Sequence, residues 1–197
     1  MVTASEGQAP HGRQSLERVL WRFVLVLLVI GAVLSVWAAL GGELSQAQMK
    51  MLVSSYGVAL FAAMGLGSAS VVERMPTSLG ARAGLFFALA GGVVLLLGIW
   101  LEMAKHMWWW KVFGTTFVMS LATSHASLLL LVNLDARFHR VRTLTRLMSY
   151  AFAFITTLMM LFEQDGELFW RATSLTFTLA VFGTLAMPVL AKLSKRA

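Results

Sequence analysis

Cysteine is absent from the 197 residues. That excludes structural disulfides, thiolate metal sites, Cys-ligated iron–sulfur clusters and a cysteine nucleophile, and leaves the compartment open. Charge is scarce as well: 13% of the residues are Asp, Glu, Lys or Arg, while 58% are hydrophobic. A soluble domain has about 25% and 45–50% respectively. Several chemical signatures are missing too. The chain has no GxxxxGK[ST] phosphate loop, no GxGxxG and no HExxH. Gly67-Ser68-Ala69 has no base beside it and does not read as a serine-nucleophile motif. Charged residues do not recur inside one helix as they do in a voltage sensor. No catalytic residue, resident cofactor or metal is expected.

What is present is apolar sequence in blocks of about twenty residues, the length that crosses a bilayer as a helix. Six blocks can be marked: residues 20–40, 51–70, 84–103, 112–134, 147–162 and 168–190. The expected fold is therefore all-α, a polytopic bundle of six transmembrane helices over residues 20–191. A polar tail (1–19), read as disordered, precedes it, and a basic end (192–197) follows. The first block competes with a signal peptide, since Ala38-Ala39 lie near its end. Its long polar lead and its length, beyond an h-region of about 7–15 residues, favour a retained helix. In the last block, Pro188 is expected to kink or weaken the final turn.

Basic residues supply the orientation. Arg13, Arg18, Arg22, Arg74, Arg82, Arg137, Arg140, Arg142, Arg146, Lys192, Lys195 and Arg196 fall on one side of a six-span chain. Lys50, Lys105, Lys111 and Arg171 fall on the other and complete the sixteen. The positive-inside rule then places both termini in the cytoplasm, in a bacterial inner membrane. The net charge of +7 reflects topology, and no nucleic-acid partner is expected. Trp108-Trp109-Trp110, between lysines, suits the headgroup zone of the outer face.

The even-numbered spans begin with Lys50, Lys111 and Arg171, spaced by 61 and 60. Ser54-Ser55-Tyr56, Thr115-Thr116-Phe117 and Thr176-Phe177 follow at matching offsets. Three helical hairpins in one orientation are one explanation; the other is that bilayer thickness imposes a sixty-residue recurrence on any short-linked hairpins.

Four sets of residues could carry function. His125 is the one histidine expected inside the membrane, about 20 Å into the fourth apolar block at 1.5 Å per residue. An ionisable group there is a proton carrier or haem or metal ligand in one reading. In the other it is a neutral imidazole bonded to a neighbouring helix, because no Asp or Glu lies at that depth. Thr116, Ser120, Thr123, Ser124 and Ser127 recur every three or four residues and share a face, with His125 roughly opposite. They could line a polar pathway or ligand site, or join helices. Glu102, Glu163, Asp165 and Glu167 gather at the outer face, for acid–base work or cation binding, or as solvated helix ends paired with nearby bases. Arg137, Arg140, Arg142 and Arg146 could meet anionic lipid or a cytoplasmic partner, or only hold the topology.

The segments FGTTFVMSLATSHASLLLL and FGTLAMPVLAKL resemble those of small uncharacterised bacterial integral membrane proteins with six predicted helices, a resemblance that implies no activity. Size and topology are also similar to the substrate-binding components of energy-coupling-factor vitamin transporters, with Gly31, Ser35 and Ala39 at small-xxx-small spacing in the first block. The function expected first is a structural, accessory or assembly component, in contact with membrane lipids and a membrane or cytoplasmic protein partner. A small transporter or ligand-binding membrane component comes second, and a membrane enzyme or haem protein using His125 third.

Overall fold

A computed structural model describes residues 22, 25–26, 29–38, 40, 43–132, 138–163 and 166–194, the side chains of 193 and 194 excepted. The polar tail, much of the first apolar block, Ala39, Arg137, Asp165, Lys195 and Arg196 lie outside them. Every described element is helical. A short apolar helix, α1 (Val29–Ala38), precedes five that are long and apolar enough to cross a membrane. These are α2 (Gln46–Arg74), α3 (Leu79–Trp100), α4 (Met107–Leu131), α5 (His139–Phe162) and α6 (Glu167–Ser194). The shortest, α3, has 22 residues, about 33 Å at 1.5 Å per residue, against a hydrocarbon core of about 30 Å. The chain is thus a multi-pass helical membrane protein.

Each of the five long helices begins before its apolar block, while α3 and α4 end three residues short of theirs. The fifth block begins at Leu147, yet α5 starts at His139 and has 24 residues. Hydropathy reports the greasy section of a helix, while backbone hydrogen bonding continues through the headgroup zone. For α2 the start was encoded locally. Ser45 Oγ accepts from Gln48 N at 3.3 Å, and Gln48 Oε1 accepts from Ser45 N at 2.9 Å. This is a reciprocal capping box inside what reads as a plain polar link. The helix α6 continues through Pro188 to Ser194. Proline has no N–H, so Thr184, four residues earlier, keeps a carbonyl without its usual donor.

Two compact units divide at residues 59 and 60, within α2. In the first, α1 and the start of α2 meet through Tyr56: its ring lies against Gly31 and its hydroxyl is 2.9 Å from Ser35 Oγ. Gly31 and Ser35 are the first two members of the small-residue spacing; without a bulky Cβ the helix backbone can approach the ring.

The second unit packs its helices by notches. A Cβ at Gly91 of α3 would overlap the Phe61 ring of α2, and one at Gly98 would overlap the Trp109 indole of α4. Gly114 of α4 takes Met160 of α5, and Gly183 of α6 takes Thr145 of α5. Lipid tails are as apolar as leucine, so helices in a bilayer gain from close approach more than from burial. An aromatic column fills the α2–α3–α4 contact. Trp109 stacks on Phe113 with centroids 5.0 Å apart and planes at 4°, and Phe61 meets Phe113 and Phe117 edge-on at 6.2 and 6.0 Å. Large apolar residues such as Phe86, Leu89, Val93, Phe182 and Val189 face outward, as a lipid-facing surface requires.

The tryptophan triplet splits. Trp108 and Trp110 are each 52% exposed, but Trp109 is only 3% exposed. Its indole N–H donates to the Val94 carbonyl at 3.0 Å. The middle tryptophan is a packing residue, and only its neighbours suit the interface. The hydroxyls at the matching offsets bond back to their own helices, as Thr123, Thr145, Ser149 and Thr184 also do. Ser55 bonds back to Met51 O, Thr116 to Val112 O and Phe113 O, and Thr176 to Ala172 O and Thr173 O.

Candidate functional site

The helix α4 carries two polar faces. Ser120, Thr123, Ser124 and Ser127 are all buried. Their side of α4 meets small residues of α2 and α3. A Cβ at Gly67 would come within 2.7 Å of Ser124 Oγ. One at Gly84 would overlap Ser68 Oγ and lie 3.0 Å from Thr123 Oγ1. The result is a hydroxyl knot closed by glycines. Thr123 satisfies itself on Met119 O at 2.5 Å. Ser68, Ser120 and Ser127 bury their Oγ atoms with no hydrogen-bond partner. Thr116, nearer the helix start, bonds back to α4 and is half-buried. The stripe is therefore continuous along the helix but sealed where it is deepest.

His125 faces away from the knot, toward α5 and α6. Because α4 begins at Met107, the ring sits about 27 Å along the helix, the first turn and a half being the interfacial Trp-rich segment. His125 Nε2 lies 2.8 Å from Thr184 Oγ1 of α6, and Thr184 Oγ1 lies 2.7 Å from Ala180 O. A hydroxyl oxygen approaches a carbonyl oxygen this closely only with its hydrogen between them. Thr184 has one hydrogen to give, so it goes to Ala180. The imidazole must then supply the hydrogen of the second contact. His125 is accordingly the Nε2–H tautomer, with a lone pair on Nδ1. Among the described residues Nδ1 has no partner.

Beside this pair lies a cavity of about 260 Å³, lined by Leu121, Ala122, His125, Ser149, Phe152, Phe177, Ala180, Val181, Thr184 and Leu185. Leu121, Phe177, Val181 and Leu185 are themselves exposed on the outside of the bundle, so the cavity opens sideways toward lipid. Phe152 and Phe177 form one wall, centroids 5.3 Å apart at 47°. Residues distant in sequence assemble this site. Thr184 is 59 positions from His125, and no local spacing announces the pair.

Glu102, Glu163 and Glu167 are not gathered into one centre. Glu102 pairs with Lys105 and Glu167 with Arg171, each within its own turn. Glu163 pairs with Lys111 of α4 at 2.6 Å. Lys111 also donates to Leu161 O at 3.3 Å, so one ammonium caps the carbonyl end of α5 and holds its terminal carboxylate. Glu102 and Glu163 both adopt left-handed backbone, with φ of 56° and 53°, where their helices turn. Among the described residues no three His, Cys, Asp or Glu side chains come together as a metal site would need. Asp165 lies outside the described residues.

The hydrogen bond and charge of Lys111 hold the Glu163 carboxyl below its ordinary value. A carboxylate lowered in the folded state contributes stability above its unfolded value, and that contribution is lost as pH falls through the folded value. Melting temperature in detergent should fall more steeply with acidification in the parent chain than in Glu163→Gln. Parallel curves would show the pair to be without thermodynamic effect.

The basic cluster at the other end is also divided. Arg142 Nη1 donates to Val132 O at 3.3 Å, and Nη2 lies 3.0 Å from His139 Nε2. Arg142 thus ties the end of α4 to the start of α5. Arg146 buries its Nε without a partner, and Arg140 is exposed. Arg137 lies outside the described residues. Compared with protein-family models, with curated proteins and with solved structures, the chain has no significant match.

Proposed function

We propose that the chain is a six-span protein of a bacterial inner membrane, both termini cytoplasmic, that serves as a structural, accessory or assembly component through a protein partner. The first block supplies the sixth span: its described residues 29–38 are apolar helix. The orientation rests on the twelve-to-four partition of Lys and Arg across the spans. The observation that carries the functional reading is the sealed knot. Of the hydroxyls that could have lined a pathway, Thr123 and Ser124 are closed off by Gly84 and Gly67, and His125 points elsewhere with no carboxylate paired to it among the described residues. A bundle arranged in this way holds helices together rather than conducting or turning over a polar substrate. Exposed Arg140 and the anionic leaflet beside it offer a cytoplasmic contact worth about 1 kcal/mol.

Native mass spectrometry of the protein purified from its host in mild detergent tests the reading. A stoichiometric second polypeptide is expected. A bare monomer or homo-oligomer under conditions that preserve known membrane complexes would overturn it.

A further inference from the structure

The lining of the lateral cavity has one-sided hydrogen-bonding chemistry. Ser149 gives its hydrogen to Thr145 O at 3.0 Å, Thr184 gives its own to Ala180 O, and His125 gives its Nε2 hydrogen to Thr184. Every side-chain polar hydrogen on the lining is committed. What remains is acceptors: His125 Nδ1 and spare lone pairs on the two hydroxyl oxygens. Nothing on the lining has a hydrogen left to donate.

Size and shape narrow the occupant further. A dry cavity of about 150 Å³ lined by aliphatic and aromatic groups accommodates benzene. The present 260 Å³ therefore takes a six-membered ring with substituents. Phe152 and Phe177 supply an aromatic wall for it, and the opening faces lipid rather than water. We propose that the cavity between α4, α5 and α6 binds a membrane-soluble ring compound bearing a hydroxyl, a phenol or hydroquinone, which donates its hydrogen to His125 Nδ1. A carbonyl or ether oxygen in the same position meets only lone pairs and is disfavoured. This site is separate from the partner contact and does not depend on it.

The test compares two probes of nearly equal shape, 4-ethylphenol and its methyl ether 4-ethylanisole. Binding to the full chain in phosphatidylcholine–phosphatidylglycerol nanodiscs is measured by calorimetry against empty nanodiscs. The phenol should bind saturably at one site, and the ether about tenfold more weakly, the worth of one buried hydrogen bond. In His125→Phe the acceptor nitrogen is removed, and the preference for the phenol should shrink toward parity. Equal binding of both probes to the parent chain overturns the proposal and leaves a merely apolar hollow. Absence of saturable binding also overturns it. So does a phenol preference that survives unchanged in a folded His125→Phe. The comparison on the parent chain requires no variant to fold.

Discussion

Gly98→Leu should be among the most damaging single substitutions in this chain, lowering stability by about 3 kcal/mol, the upper end for overpacking a close contact. The side chain it would meet cannot step aside. Trp109 is fixed by its N–H bond to Val94 O and by its stack on Phe113. Leucine at position 98 must therefore push α3 and α4 apart. Trp109→Ala alone should also cost about 3–5 kcal/mol by emptying the notch. The combination Gly98→Leu with Trp109→Ala should lose less than the sum, because the new leucine occupies part of the vacated space. That negative coupling is the signature of direct contact. Reversible unfolding in mixed detergent reads all three. Gly98→Leu with the parent's stability would refute the notch.

The second large effect divides the hydroxyl knot by residue. Gly84→Val places methyl groups where Ser68 Oγ and Thr123 Oγ1 already sit, and should destabilise by about 1–3 kcal/mol or prevent assembly. Ser68→Ala and Ser120→Ala should do the opposite of what buried polar residues usually suggest. Both Oγ atoms are buried without partners. Removing an unsatisfied hydroxyl leaves nothing unpaired behind it, so the change is neutral or stabilising by up to about 1 kcal/mol. If the two alanine variants were as damaging as Gly84→Val, the knot would be held by hydrogen bonds rather than by close approach.

Much of this architecture is legible in the residue pattern because a bilayer simplifies the physics. Apolar runs of spanning length become helices: three of the marked blocks fall inside α2, α5 and α6, and those at 84–103 and 112–134 overlap α3 and α4 but run three residues past their last helical residue. The three- and four-residue spacing on the fourth block correctly puts the hydroxyls on one side of α4 and His125 on the other. What escapes is whatever needs a second helix. The glycine that admits Trp109 lies on α3, so three adjacent tryptophans look alike until that notch is found. The partner of His125 is a threonine on α6, an unremarkable residue in sequence. Arg142 looks like part of a basic surface patch until its contact with Val132 O is seen. One missed feature was readable: Ser45 and Gln48 have the spacing of a capping box, and the start of α2 follows from it. The helix ends were displaced for a different reason, since hydropathy falls to zero before hydrogen bonding does.

The notches have a consequence for how the protein is made. Four of them, Phe61 on Gly91, Trp109 on Gly98, Met160 on Gly114 and Thr145 on Gly183, join helices consecutive along the chain, while Gly67 on Ser124 and Gly80 on Tyr150 join helices one further apart. Each new helix leaving the ribosome can lock onto the one inserted just before it, without waiting for a distant segment. Such local pairing keeps loop-closure entropy small and favours rapid, stepwise assembly during synthesis. Biogenesis can then proceed like a zip, from the amino-terminal helices onward.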